Sequence, residues 1–393
     1  MITAVEKPLR ILAVANVPED PNAGAAGAEY ETFAALRALG HEVDAVWADG
    51  VGRRIRHGNL NLLLELPRRY EAVVAKRLAA APYDVVHVNQ PHGYRAARLV
   101  QRRWPRTVFI HRSHGWEPRV AEVLAPWRRI YEPERKAPWR RAASDVLASL
   151  LARHAAQIVR WADGHIVCST EDAEYMRERN GVPADKVRML PQAAPEAFLA
   201  APPAPFDDAR RHHVLFVGQY VFFKAPMLVA AAMNAIAEAR PDVRFSWVAG
   251  RGHHAAIRAL LGERVRERLA LHDWMPQAAL RDVYDSAGIF LFPSFFEGSG
   301  KVHIEALSRG LCVVASRAGG MRDYVEDGRS GVLITPGDAG ELAREALALI
   351  GDAERARAMS AAAAARARQF SWHRTAIETA EFYRDRLAAK NGR

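Results

Sequence analysis

FPSFFEGSGKVHIEALSRGLCVVAS, residues Phe292–Ser316, sets Glu297 and Glu305 on either side of a Gly-rich turn. The run GIFLF that leads into it reads as a strand, PSFFEGSG as a loop, KVHIEALSR as a helix stopped by Gly310, and LCVVAS as the next strand. A strand whose carboxyl end feeds a helix amino terminus is the corner where open α/β sheets bind ligands. Amides of Ser299, Gly300 and Lys301 at the helix start favour an anion. Gly298 and Gly300 let the backbone come close to it. Phosphate is the expected guest.

Glu305 falls a little over one turn into that helix, about 6–8 Å behind the phosphate at ~1.5 Å rise per residue. A carboxylate accepts two hydroxyl hydrogen bonds at once, which suits the vicinal diol of a ribose. Glu297, at the front of the loop, could reach a polyol on the other side. A sugar–diphosphate–nucleoside fits this order. Spacing alone fits equally a loop charge at Glu297 and an exposed helix residue at Glu305.

Strand and helix patterns alternate in both directions from here. In the first half RILAVANVP, HEVDAVWA, YDVVHVNQP, TVFIHRSHG, DGHIVCST and KVRMLPQ read as strands. In the second half HVLFVGQ, RFSWVAGRG, RLALHDWMP, GIFLFPS, LCVVASRAGG and GVLITPGD do the same. Alternation of this kind predicts parallel sheets. A Pro/Ala-rich break at 197–211 suggests the link between an N-terminal domain, 1–200, and a C-terminal one, 205–373. A last helix, 374–393, is expected to return to the first. Gly24 and Gly27 sit in an expected loop before the helix YETFAALRALG, where Glu29 would complement the helix dipole.

The chain has 393 residues, half of them hydrophobic, enough for two packed domains. No apolar run approaches the ~18 residues of a membrane span, and no secretory leader is evident, so a cytoplasmic protein is expected. Cys168 and Cys312 lie in apolar runs and read as buried thiols. Residues 51–160 hold 22 Lys and Arg against 8 Asp and Glu, within a chain of net charge +10. That excess suits either an acidic partner or simply solvated helix faces. APWRR occurs at 125–129 and again at 137–141, fitting either a membrane interface or a surface helix with inward Trp. Pro126, Pro133 and Pro138 argue against one long helix.

The segment from Pro293 to Asp338 resembles the C-terminal signature of the family 4 glycosyltransferases, retaining enzymes of GT-B fold with an E-x7-E motif. GAAGAEYETFAALRALGHEVDAV resembles the family's N-terminal Gly-rich loop and first helix, HGWE its His-containing loop, and LFVGQYVFFKAP its phosphate-contacting strand and lysine. The resemblance implies two Rossmann-like domains facing a cleft, the second binding a nucleotide sugar and the first an acceptor. It makes Glu297, Lys224 and His114 the catalytic candidates, and His111 the residue easily mistaken for His114. Donor contacts would come from Glu305, Gly298, Ser299, Gly300, Lys301, Gly218, Gln219, Gly250, Met275, Gly24, Gly27, Gly319 and Gly320. The family pairs its lysine with an arginine five residues earlier, where this chain has Gln219. Asp323 stands where the family often has Glu.

The implied reaction moves a sugar from a nucleotide-diphosphate sugar to a glycan or lipid-diphosphate-linked acceptor, in cell-surface polysaccharide or glycolipid synthesis. A D-x-D motif is absent, so no metal or other cofactor is expected; Lys224 and helix amino termini would take the metal's electrostatic part. An anionic membrane face is an expected partner, with peripheral attachment there, and nucleic acid is not. A nucleotide-sugar epimerase of the same fold and an inactive sugar-binding relative are the alternatives.

Overall fold

The computed structural model describes residues 7–131 and 138–392. They form two compact units. The first takes residues 7–120, 138–192 and 372–392; the second takes 121–131 and 193–371.

The first unit is built on a six-stranded parallel sheet. Its strands are β1 (Arg10–Val14), β2 (Glu42–Val46), β3 (Val85–Asn89), β4 (Val108–Arg112), β5 (Gly164–Val167) and β6 (Val187–Met189). Their order across the sheet is β2-β1-β3-β4-β5-β6. β1 shows why the runs are continuously apolar. Leu12 and Val14 join the core on one face, while Ile11 and Ala13 join the core on the other. A parallel strand covered by helices on both sides has no solvent face for polar residues. The last helix, Trp372–Asn391, lies in this unit and buries Ala376, Ala380, Phe382 and Tyr383 beside Phe33 and Leu36.

The second unit repeats the plan with β7 (His213–Val217), β8 (Arg244–Val248), β9 (Leu269–His272), β10 (Ile289–Phe292), β11 (Cys312–Ser316) and β12 (Gly331–Ile334). The order is β12-β11-β10-β7-β8-β9, so the direction of succession reverses between β7 and β10. β7 again splits its side chains, Val214 and Phe216 to one core, Leu215 and Val217 to the other.

Several expectations need correction. The boundary falls between Gln192 and Ala193, and the Pro/Ala-rich run is not a free link. Buried Arg309 pins it, donating to the carbonyls of Phe198 (2.9 Å), Ala201 (2.7 Å) and Pro202 (2.8 Å) while pairing with Asp285. Pro126 sits inside the helix Glu117–Tyr131 rather than ending it. Trp127 of the first APWRR packs inward in the second unit; the second copy and Pro133 lie outside the described residues or have no described side chains. Phe222–Ala239 does have the length and apolarity of a membrane span, with half of it buried. Its helix, Pro226–Ala239, lays Val229, Met233 and Ile236 into the core of the second unit.

Buried histidines are a feature of both units. His111 and His165 meet through Nδ1 at 3.2 Å, and His92 and His154 at 2.9 Å. Burial pushes His92, His165 and His303 down to about 3 and His213 down to about 4, from an ordinary 6.5. An unfolded chain would take up protons that these folded sites refuse. Their contribution to stability is therefore intact above about pH 6.5 and lost as pH falls toward 3–4. Denaturant melts should show stability declining from pH 7 to pH 5, and His165→Gln should flatten that slope. An unchanged slope in the variant would show that His165 is not among the groups responsible.

Candidate functional site

In the second unit the candidate residues gather where the strand order reverses. After β7 the chain makes a short turn, Phe222–Lys224, and enters the helix Pro226–Ala239. Ala225 joins the two at φ 52°, a left-handed conformation that an alanine adopts only at a cost of about 1–2 kcal/mol. That turn aims Lys224 at the loop following β10. Its Nζ donates to Oε1 of Glu297 at 2.5 Å, and the rings of Phe223 and Phe292 each lie 5.5 Å from the ammonium. The Lys224 side chain is 15% exposed and that of Glu297 9%, so neither is a solvated surface charge.

The loop that carries Glu297 is held from three sides. Phe295 is buried, its amide donates to the carbonyl of Phe223 at 2.8 Å, and its ring stacks on Trp127 at 4.4 Å and 8°. Gly320 donates to the carbonyl of Glu297 at 3.2 Å. A Cβ on Gly320 would stand 2.6 Å from Cα of Ser299, and one on Gly319, at φ 54°, would collide with the carbonyl of Glu297. Two backbones thus touch directly, which only glycine permits. Gly319 and Gly320 act first as supports for the Glu297–Ser299 backbone.

Gly298, Ser299 and Gly300 are buried, and Gly300, at φ 78°, caps the helix Lys301–Ser308. The helix therefore starts at Lys301, where the sequence reading set it. Glu305 is 4% exposed, not an exposed helix residue. Its Oε2 accepts from the Tyr284 hydroxyl at 3.0 Å, and burial raises its pKa. Gly218 and Gln219 follow β7, Gly250 follows β8 and Met275 follows β9, so they share the same end of the sheet. Gln219 is exposed and Met275 half-buried. Trp274, 50% exposed, and Tyr220 stacked on His253 at 5.2 Å stand among them; the sequence reading did not single them out.

In the first unit the candidates form a separate, largely buried group. Gly24 and Gly27 are not in a loop: the helix runs from Gly24 to Ala38, six residues longer at its start than the pattern suggested. The Ala-rich lead-in is a good helix former and carries the helix through both glycines. Glu29 is fully buried inside the helix instead of starting it. Its Oε1 meets Nε2 of His114 at 2.8 Å, and its Oε2 lies 3.5 Å from Nη1 of Arg112 and from Nε2 of His87. Burial opposes its charge, but Arg112, His114 and His87 together hold it well below the usual carboxylate range. Nδ1 of His114 is 3.3 Å from Nε2 of Gln192 and 3.8 Å from Sγ of Cys168. His111, by contrast, is fully buried against His165. Sequence reading missed the roles of Glu29, Arg112, Cys168 and Gln192. The signal for Glu29 was its phase: it shares a helix face with Phe33 and Leu36, both buried.

Residues 24–198 match the model of Glycosyltransferase Family 4, and residues 211–352 match Glycosyl transferases group 1. The chain belongs to glycosyltransferase family 4. D-inositol 3-phosphate glycosyltransferase of Xylanimonas cellulosilytica is 27% identical over 319 residues, 77% of this chain and 72% of that one. The enzyme of the same name from Thermobispora bispora is 29% identical over 328 residues, 78% of this chain and 71% of that one. Among solved structures, sucrose-phosphate synthase from Thermosynechococcus elongatus superposes with a TM-score of 0.75 at 22% identity, covering 97% of this chain and all of that chain. HepE of Anabaena in complex with UDP-glucose gives 0.62 at 18%, covering 95% and 98%. The fold of this family 4 glycosyltransferase is GT-B, with two Rossmann-like units.

The contrast between two glycines in the glycosyltransferase is testable. Gly320→Ala should cost about 1–3 kcal/mol, because the obstacle is backbone and cannot swing away. A Cβ at Gly24 meets nothing within 4 Å, so Gly24→Ala should be neutral or slightly stabilising. Denaturant unfolding of the two variants checks both; equal effects would refute the backbone contact.

Proposed function

We propose that this glycosyltransferase takes its sugar from a nucleotide-diphosphate sugar bound by the second unit, and transfers it with retention and without a metal ion. The observation that carries this reading is the Lys224–Glu297 pair beside the amino terminus of the helix Lys301–Ser308. The ammonium and the helix end both favour a diphosphate. Bond cleavage puts negative charge on the leaving diphosphate, and preset positive groups lower that barrier. When the diphosphate engages Lys224, Glu297 is released toward the sugar hydroxyls. Glu305, buried and held by Tyr284, is an acceptor for the ribose diol. His114 of the first unit would meet the donor sugar. A front-face course, in which the leaving diphosphate helps take the acceptor proton, needs no protein nucleophile.

The acceptor in this reading is anionic: a phosphorylated polyol or a lipid-diphosphate-linked glycan. The basic first half supports it, and the relatives are named for an inositol phosphate. Arg53, Arg54, Arg56 and Arg68 are exposed near Leu60 and Leu64, which are 40% and 44% exposed. That mixture suits an anionic membrane face carrying a lipid-linked acceptor.

Calorimetry against UDP, GDP, ADP and their sugar conjugates tests the donor class. One nucleotide should bind selectively, and Glu305→Ala should weaken it. Lys224→Ala should lower turnover by roughly 10²–10³, as for other lost charge-stabilising groups; unchanged turnover would remove Lys224 from the mechanism. Turnover of donor without any acceptor would instead favour an epimerase, and failure to bind any nucleotide an inactive relative.

Sedimentation with vesicles should show the protein on phosphatidylglycerol-containing bilayers at low salt and not on neutral ones. Replacing Arg53, Arg54 and Arg56 with Ser should release it. Equal recovery on both vesicle types would refute the membrane face.

A further inference from the structure

The His114 ring is held at both nitrogens by side chains that contact no solvent. Glu29, on the helix Gly24–Ala38, is 0% exposed and meets Nε2 at 2.8 Å. Cys168, just past β5, is 0% exposed and lies 3.8 Å from Nδ1, with the Gln192 amide 3.3 Å from the same atom. Only the His114 side chain reaches the surface, at 17%. We propose that Glu29 and Cys168 are positioning residues that grip the two nitrogens of the His114 ring, and so present that ring to the sugar in one fixed orientation. The inference rests on reading His114 as a group that meets the transferred sugar.

Charge balance supports the arrangement. Arg112 is 1% exposed and is an obligate cation. Its Nη1 donates to Thr32 at 2.9 Å, but Nε and Nη2 are buried without a hydrogen-bond partner. Glu29 alone offsets one positive charge. If His114 is protonated as well, a second negative group is needed in the same dry volume, because an uncompensated buried charge is costly. Cys168 is the available group. Burial raises its thiol pKa, yet His114 and Arg112 outweigh that and bring it below its ordinary value. Burial likewise works against a charged His114, but Cys168 and Glu29 raise it to about 9. Glu29 and a more readily ionised Cys168, whose Sγ also reaches the Ser113 carbonyl at 3.4 Å, thus face Arg112 and His114 in one dry volume.

The other titratable groups facing this ring are known. His87 of β3 donates or accepts at Tyr383 through Nδ1 and is kept neutral, its pKa lowered chiefly by burial. His111 of β4 is neutral for the same reason. Glu117, at the start of the next helix, is a further acid, and its protein surroundings push its carboxyl up to about 7 although His114 opposes this. None of them touches a His114 nitrogen among the contacts above. The grip therefore reduces to Glu29 and Cys168, with Gln192 as a neutral neighbour.

Fixed orientation matters because a swivelling imidazole must be ordered by the substrate at each turnover, which weakens catalysis. With both nitrogens held by Glu29 and Cys168, the ring offers the sugar a fixed edge and its charge, not a further N–H.

The test reads the ring directly. Full-length protein carrying ¹⁵N-histidine is titrated by NMR, with the His114 signals identified by their loss in His114→Gln. In the wild type both nitrogens should be protonated at pH 7. Glu29→Gln keeps the shape and removes the charge; its His114 should bind the proton about 100-fold more weakly. Cys168→Ser should weaken it about 10-fold. In turnover assays the alkaline limb of the kcat/KM profile should move to lower pH in Glu29→Gln by the same amount, with nucleotide affinity unchanged. A His114 titration identical in wild type and both variants overturns the proposal. If Glu29→Gln does not fold, Cys168→Ser decides by the same reading: a fall supports the grip, and no change overturns it. Wild-type protein that turns over no nucleotide sugar would sink the transferase mechanism, while the titration, made without substrate, still decides the grip.

Discussion

In each sheet the succession of strands reverses once, and that reversal governs what the rest of the unit can do. Where neighbouring strands send their helices to opposite faces, the loops above them part and leave a crevice at the carboxyl ends. In the second unit the partners are β7 and β10, and each delivers one member of the Lys224–Glu297 pair. Everything else there serves to hold those two loops. Trp127 covers Phe295, Gly319 and Gly320 lie against the Glu297 backbone, and Ala225 accepts a strained turn. The two loops are thus braced by backbone contacts and aromatic rings. Such a surround fixes the two backbones and leaves the Lys224 and Glu297 side chains as the parts that can move.

The two units handle charge in different ways. Lys224 keeps 15% of its side chain exposed and pairs with the Glu297 carboxylate. Glu29 is closed in, with an arginine and two imidazoles around it and no exposed surface. A network of that sort is stable only when every member is present, because removing one leaves an unpaired buried charge. The first arrangement is a single pair near the surface, the second a closed network.

The twelve strands among the described residues were legible because a parallel sheet buried on both faces demands uninterrupted apolar runs, and these stand out in a chain with 25% charged residues. The glycine loop around Glu297 was legible because strand, Gly-rich turn and helix follow one another within a few residues. What escaped depended on contacts distant in sequence. Arg309 reads as a helix-end charge until the carbonyls of Phe198, Ala201 and Pro202 are brought to it. Cys168 reads as a core thiol until Arg112 and His114 arrive beside it. Glu29 was misread for a different reason: its neighbours Ala26, Gly27 and Ala28 are small, so the apolar face of the helix gave a weak signal although its phase was right. Pro126 was read together with Pro133 and Pro138 as an argument against one long helix, and the described residues hold two helices, Glu117–Tyr131, with Pro126 inside it, and Pro138–Trp161.

Trp127 has a consequence for how this chain can be divided. Residues 121–131 belong to the second unit, although the residues just before them and those from 138 onward belong to the first. The backbone therefore passes between the units at four points, not at a single hinge. A fragment beginning at Ala193 would contain all of β7–β12 and both loops of the candidate site, yet would lack the indole that stacks on Phe295 and lies against Gly337. Its sheet would be complete, with the loop that carries Glu297 uncovered. In this glycosyltransferase neither Rossmann-like unit is one continuous piece of chain, and recombination between relatives would have to carry three pieces to transplant the first unit and two to transplant the second.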